Sequence, residues 1–268
     1  MSATAPSIVH GLSFSDYLLD GAINASSLVE MAKSPKHYAH GLRHRRGDTA
    51  ALRLGRAAHT LVLEPERFAD SYAVSPFDSF RTNEAKAWRA AQEAARRTVL
   101  TAEQLDEARA VAAAVHAAPE AMEWLREGQA EVTLRWTDSI TGLKCKGRAD
   151  WIGRALVDLK TTRDVMVRRF EAQSADLHYH LKLAWYRDAI QAITGKRLPV
   201  VIVAVETEPP HDVVVFEVPE DVLEVGRAAY SALLDRVAIC RETNNWPGIS
   251  GGQVLRLRLP RWADPSNS

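Results

Sequence analysis

Between residues 146 and 162 the chain reads KGRADWIGRALVDLKTT, which sets Asp150, Asp158 and Lys160 inside two short apolar runs. RADWIG and RALVDLK read as adjacent strands joined by a turn at Gly153 and Arg154, so that the ends carrying Asp150 and Asp158 can meet. Two carboxylates so placed suit a hard divalent cation. Lys160 follows Asp158 by the strand period of two, so both side chains share a face and the ammonium can stand beside a water that the cation activates. Hydrolysis of a phosphodiester needs that set, because the diester is anionic and water is a poor nucleophile. The plainer reading is a surface ion pair, since Asp-x-Lys is a common pairing on strands. Arg148 before Asp150, with Thr161 and Thr162 after Lys160, favours a site, because clustered ionisable groups at the end of an apolar strand are usual for one in an α/β sheet.

The elements that would position these groups follow from periodicity and caps. The first 125 residues read as helical throughout. SSLVEMAKS forms a short helix capped by Ser26 or Ser27 and ended by Ser34, the residue before Pro35. Asp48 and Thr49 open a second helix, TAALRLGRAAHTLVLE, whose apolar Leu52, Ala58, Leu61 and Val62 mark a largely buried element stopped by Pro65. It carries His59. A polar helix is predicted from Glu84 to Val99, and TAEQ at 101–104 matches a capping box opening an Ala-rich helix to His116.

From Glu131 the period changes to two. EVTLRW, LKCKGRADWI and ALVDLK read as strands, DSITG as the turn between the first two, and residues 177–194 as an amphipathic helix. Strands at 200–206 and 213–218 and a helix over 220–242 complete the core. The expected organisation is one domain over 1–268, with a mainly helical part at 1–125, a sheet-containing core at 126–245 and a loop-like tail at 246–268. Asp150 and Asp158 are expected at the surface ends of their strands, where substitution removes a ligand and not core volume.

Lys+Arg and Asp+Glu each number 34, so affinity for nucleic acid would come from a local basic surface and not from a global field. Three clusters could supply one: Arg43, Arg45 and Arg46; Lys144, Lys146 and Arg148; and Arg163, Arg168 and Arg169. Charge runs are, however, usually solvated faces. A chain of 268 residues, 46% hydrophobic and 25% charged, has the composition of an ordinary soluble globular protein with a sizeable core. Its two cysteines, Cys145 and Cys240, argue against a disulfide framework, a zinc ribbon or an iron–sulfur cluster. Residues 1–25 lack a basic start followed by an apolar signal core, and no run approaches the roughly 20 apolar residues of a membrane span. A cytoplasmic location without membrane contact is the expectation.

GRAAHTLVLEPERF (55–68), GRAD (147–150), DLKTT (158–162) and YHLKLAWY (179–186) stand in one order. In that order the chain resembles, over most of its length, exonuclease VIII, the phage RecE-type nuclease, and its RecB-like relatives in the PD-(D/E)xK superfamily. SPKHY at 34–38, VETEPPHDVVVFEV at 205–218 and WPG at 246–248 are similar to the phage branch. The resemblance implies an α/β, restriction-endonuclease-like core sheet flanked by helices. It matches His59 to an upstream metal ligand, Asp150 and Asp158 to two metal-binding acids, Lys160 to the catalytic lysine and Tyr186 to the tyrosine of a Gln-x-x-x-Tyr helix motif. Lys182 stands where that motif has glutamine. A lysine can contact a phosphate but cannot accept a hydrogen bond. Glu131, acidic at the start of a core strand, is a candidate to assist at the metal, with a surface position as the equal alternative. Taken alone, His59 on an apolar helix would be a core histidine, Trp185 and Tyr186 core aromatics, Glu64 a helix-end residue, and Lys144 and Lys146 strand-face charges. Gly55, one turn before His59, would let its helix pack closely on the sheet.

The resemblance implies a Mg²⁺-dependent exonuclease of linear duplex DNA, its cation held by His59, Asp150, Asp158 and the Leu159 carbonyl, with Mn²⁺ an alternative given the histidine. Digestion from 5′ to 3′, delivery of the 3′ strand to a RecT-like single-strand annealing protein, and a homo-oligomer in the form of a tetrameric ring rest on the family alone. Two other classes fit the same residues. A RecB-like nuclease would act on single strands or flaps and cut closed single-stranded circles. A DNA-binding module that keeps the fold is favoured by Lys182 and disfavoured by the intact Asp150, Asp158 and Lys160.

Overall fold

The structure is a computed structural model that describes residues 6–44, 47 and 49–260. Arg45, Arg46, Asp48 and the part of the tail beyond residue 260 lie outside the described residues. The first half of the chain forms β1 (Ser7–Val9), α1 (Phe14–Leu19), α2 (Ala25–Lys33), α3 (Pro35–Arg43), α4 (Ala50–Leu63), α5 (Phe68–Ser71), β2 (Tyr72–Val74), α6 (Asn83–Ala94), β3 (Thr98–Leu100), α7 (Ala102–Ala117) and α8 (Pro119–Trp124). The second half forms β4 (Gly128–Thr137), β5 (Lys144–Gly153), β6 (Leu156–Thr162), α9 (Val167–Asp176), α10 (Tyr179–Thr194), β7 (Val200–Glu206), β8 (Val213–Glu217) and α11 (Glu220–Thr243).

Six strands make the main sheet in the order β1-β4-β5-β6-β7-β8. β6 and β7 run parallel and the other neighbours antiparallel. A parallel pair needs a crossover, and α9 with α10 supplies it. Period-two alternation serves a core on each face. Val157, Leu159, Val201, Val203 and Val205 pack with α4 and α7, whereas Leu156, Val200, Ile202 and Ala204 pack with α9 and α10. A third cluster joins α2, α3, α10 and α11 around Trp185 and Cys145. The fold is therefore the expected mixed α/β core with flanking helices. Among the described residues no helix is long and apolar enough to cross a membrane.

The first half departs from an all-helical reading. β1 joins the main sheet, and β2 and β3 form a two-stranded parallel sheet of their own. α6 stops at Ala94, so Thr98 and Val99 belong to β3 and not to the helix. Strands of three residues are too short to show a period. The cap of α2 is Asn24, whose Oδ1 accepts from Ser27 N–H at 2.9 Å, and Ser27 is the third helical residue that answers it. Ser34 ends α2 as expected and also caps α3 with Pro35 in its first turn, so one Ser-Pro step stops one helix and starts the next. Thr49 caps α4, and Thr101 with Gln104 forms the expected capping box of α7. α9 has no counterpart in the sequence reading, because its run of Arg, Glu, Gln and Ser shows little apolar signal.

α10 and α11 cross at close range because residue 226 has no side chain. A Cβ on Gly226 would lie 2.1 Å from the His180 carbonyl oxygen and 3.0 Å from Ala184 Cβ. Backbone cannot yield as a flexible side chain can, so the helices would have to part. Gly226→Ala is expected to destabilise the fold by about 1–3 kcal/mol, seen as a lower urea midpoint. An unchanged midpoint would show that the crossing does not depend on this contact.

Candidate active site

β5 and β6 pair at only two positions, Trp151 with Val157 and Ile152 with Leu156. Beyond these, β5 stays with β4 and β6 with β7, and the two strands part. The notch exposes backbone groups of β6 that a full ladder would have used. Side chains take them: Asp150 Oδ2 accepts from Leu159 N–H at 2.9 Å, and Lys160 Nζ donates to the Leu159 carbonyl at 3.3 Å.

The β4–β5 ribbon also changes faces at this level. Ala130 and Trp151 pack with the α4–α7 core, whereas Val132 and Ala149 pack with the α10 core. Residues two apart on a regular strand share a face, so the ribbon turns over between them. Glu131 takes the turn at a φ of +50°, a left-handed value that costs roughly 1–2 kcal/mol in a residue with a Cβ. The ladder omits the 131–150 pair, which leaves Glu131 and Asp150 where the two cores meet.

His59 arrives from α4. Gly55, one turn earlier, lets that helix approach β6, since a Cβ there would stand 3.2 Å from Thr161 Oγ1. Thr161 therefore belongs to the seam between helix and strand. His59 Nδ1 lies 3.7 Å from Asp150 Oδ2, and one ligand atom from each of His59, Glu131 and Asp150 falls within 4.8 Å of the others. Of the residues assigned to the cation from sequence, His59 and Asp150 stand in this triple and Asp158 does not. Glu131 stands there with them. A hairpin centred near residue 140 puts 131 opposite 150, so the turn DSITG already carried the signal that could have promoted Glu131 from its surface alternative.

Asp158 pairs with Lys160, whose Nζ contacts its Oδ2 and lies 4.0 Å from Asp150 Oδ2. Asp158 is the third residue of seven in β6 and only 5% exposed, so it is a buried mid-strand acid and not the surface-end residue expected from sequence. A carboxylate this enclosed requires a cation beside it, and the strand period supplies one.

The electrostatics follow from crowding. Burial lifts Glu131 to about 7, and the neighbouring Asp150 adds to this while Arg148 opposes it. Burial likewise raises Asp158 from the ordinary carboxylate range against the pull of Lys160. Burial would depress Lys160, but Asp158 and Asp150 outweigh it and hold the ammonium above the usual lysine value. Burial lowers His59 despite Asp150, which favours the neutral imidazole that a metal ligand must be.

The remaining expected residues divide. Arg148 pairs with Glu131 and donates to the Leu12 carbonyl at 2.9 Å, so it positions Glu131 and is not a basic surface group. Lys146 is buried and donates to the carbonyls of Tyr17 and Asp20 at 2.6 and 2.5 Å, which ties α1 to β5. It leaves the second basic cluster. Lys144, Arg163 and Arg168 are exposed, and Arg169 pairs with Asp164 at 2.7 Å. Glu64 caps the end of α4 and holds Arg67 at 2.7 Å. Tyr186 lies over β5, where a Cβ on Gly147 would meet its ring at 2.8 Å, and burial raises its phenol well above the ordinary value. The glycine of GRAD thus makes room for the tyrosine. Tyr179 was missed from sequence. Its ring lies 5.3 Å from Lys160 Nζ and 5.4 Å from Lys182 Nζ, so it stands between β6 and the lysine of its own helix.

Removing Asp158 alone leaves the enclosed Lys160 ammonium with Asp150 as its nearer remaining carboxylate. Asp158→Ala is therefore expected to cost about 3 kcal/mol, and Asp158→Ala combined with Lys160→Met to cost less than the two single changes together. Urea unfolding of the three variants measures this, and strict additivity would show that the pair is not coupled.

The chain is similar to the crystal structure of a "putative exonuclease" from Eubacterium rectale, with a TM-score of 0.64 and 14% identity over 94% of this chain and 97% of that one. At that identity the likeness is one of fold. No curated protein matches the chain. Residues 24–256 match the family described as a PDDEXK-like domain of unknown function (DUF3799), a span that runs from the cap of α2 past the end of α11 and holds every residue of the site. The chain belongs to this PDDEXK-like family and carries the fold of the PD-(D/E)xK nucleases.

Proposed function

We propose that the chain is a divalent-cation-dependent DNA exonuclease. The observation that carries this is the convergence of His59, Glu131 and Asp150 within 4.8 Å, beside the Asp158–Lys160 pair, at the place where β5 and β6 part. One imidazole and two carboxylates form a donor set suited to Mg²⁺ or Mn²⁺. Thiolate chemistry has no place there, since Cys145 and Cys240 are buried and Cys145 packs in the α2–α11 cluster away from the acids. A bound cation would supply Lewis-acid activation of water and neutralise charge on the scissile phosphate.

The chain's own groups do the rest. Asp150, fixed by the Leu159 amide, and Glu131, fixed by Arg148, hold their oxygens toward His59. The Leu159 carbonyl faces the same notch and remains a further ligand candidate. Lys160 keeps its proton at neutral pH, so it acts as a donor and a positive charge toward the phosphate or the attacking water, not as a base. Asp158 keeps Lys160 in place and is the acid nearest its ammonium. Tyr186, a neutral phenol, closes the site over Gly147. Preference for linear duplex ends, 5′ to 3′ digestion, a ring of subunits and transfer of the 3′ strand to an annealing protein belong to this proposal through the resemblance to the RecE type.

Three measurements test it. With separately 5′- and 3′-labelled linear duplex in Mg²⁺, the wild type is expected to release label from the 5′ end and to spare a covalently closed circle. Asp150→Asn and Lys160→Met should abolish release. Cleavage by Asp150→Asn at the wild-type rate would sink the assignment. In a thermal melt, Mg²⁺ or Mn²⁺ at about a hundredfold above its dissociation constant should stabilise the wild type by about 2.7 kcal/mol, and Glu131→Gln or Asp150→Asn should lose this. Equal shifts in all three would place the cation elsewhere. Lys182→Ala is expected to weaken duplex binding and to flatten the dependence of log K on log salt by about 0.9, while Lys182→Gln retains cleavage. Unchanged slopes and rates in both variants would leave Lys182 a solvated lysine.

A further inference from the structure

A second feature lies on the small β2–β3 unit, away from the acids. A surface cleft of about 460 Å³ opens between α4, α6 and the start of α7, lined among others by Arg53, Phe80, Arg89, Glu93, Arg96 and Arg97. Its described lining holds four arginines against one carboxylate. Arg89 pairs with Glu93 at 2.7 Å and lies over the Phe80 ring at 5.2 Å, so a guanidinium plane and an aromatic ring form one surface. Arg96 stands just past the end of α6 at a φ of +58°, a conformation in which glycine is the ordinary residue. On α4, Arg53, Arg56 and His59 recur every three residues, so the row winds along the helix by about 60° a step and rises about 9 Å from the cleft toward the acids.

We infer that this cleft binds a single strand of DNA, with its arginines on the phosphates and Phe80 with Arg89 as the platform on which a base stacks. The substrate class rests on the nuclease reading above. The platform selects the strand state, since a base can stack on Phe80 and Arg89 only where it is out of its duplex. Stacking needs no particular base, because every base has a π face, and arginine contacts to phosphate read no sequence. Arg53 lines the cleft and precedes His59 by six residues, about 9 Å, on the same helix, so a strand seated in the cleft lies near the approach to the notch. The cleft would thus hold one strand of the substrate apart from its partner near the scissile bond.

The experiment uses the full chain in EDTA, so that binding is read without cleavage, and a short fluorescent oligothymidylate as probe. Arg96→Gly with Arg97→Ala is expected to weaken binding at least tenfold and to flatten the slope of log K against log salt by about 1.4, two phosphates at 0.7 each. Because glycine suits the φ of position 96, the same change should leave the protein folded, read as a cooperative melt. Phe80→Leu should weaken binding about tenfold, and Phe80→Trp should restore it. Hydrolysis of bis(p-nitrophenyl) phosphate with Mn²⁺, a diester too small to reach the cleft, should proceed in every variant as in the wild type. Wild-type affinity and slope in the arginine variant, or Phe80→Trp no better than Phe80→Leu, would overturn the inference. Absence of diester hydrolysis in the wild type would instead count against the nuclease reading, with the oligonucleotide affinities still deciding the cleft.

Discussion

Three carboxylates, Glu131, Asp150 and Asp158, are brought into one half-buried notch, and their mutual repulsion is the constraint around which the neighbourhood is arranged. Desolvation and like charge act in the same direction on Glu131 and push it to about 7. Each acid then has its own counterweight. Arg148 stands on Glu131, Lys160 on Asp158, and the Leu159 amide on Asp150. Arg148 is itself tethered by the Leu12 carbonyl, so the loop before α1 helps to hold an acid from β4. A divalent cation at His59, Glu131 and Asp150, as proposed above, would relieve the two acids of that triple, while Lys160 stays on Asp158.

The notch exists because two kinds of strand pairing meet at β6. On one side β6 runs parallel to β7 through seven matched positions. On the other it meets the long β4–β5 hairpin at two positions and then diverges. The hairpin turns over at Glu131 so that it can cover the α4–α7 core with Ala130 and Trp151 and the α10 core with Val132 and Ala149. A ribbon that turns over cannot stay flat against a straight neighbour. The gap that results is where backbone polar groups go unclaimed by the ladder and where acids can claim them.

Much of this was legible in the sequence, and what was not has identifiable reasons. The alternation in β4 to β8, the capping box at Thr101 and Gln104 and the pairing of Asp158 with Lys160 at the strand period are local signals, and they hold. Lys146 alternates with its neighbours like any strand-face charge, but it is buried because α1 happens to offer it two carbonyls. That is a tertiary accident no period reports. Asp158 reads from sequence as a surface-end residue, whereas β7 and α10 enclose its strand. Glu131 could have been found by counting back across the hairpin from Asp150. Its φ of +50° could not, since nothing in Ala-Glu-Val marks a reversal.

Lys182 bears on how the site differs from the pattern its sequence resembles. A glutamine at that position offers both a donor and an acceptor and no charge, whereas the lysine adds a cation on the helix that packs over β4, β5 and β6. Tyr179 lies between Lys182 and Lys160 within 5.4 Å of each ammonium, and the negative face of its ring moderates their repulsion. The ring does not neutralise either charge. One of the two ammonium groups, that of Lys160, stands 4.0 Å from Asp150, beside the acids of the notch. On the exonuclease reading proposed above, the exchange would put electrostatic capture of the substrate backbone where the glutamine pattern offers hydrogen bonds, with the Tyr179 ring close to both lysines.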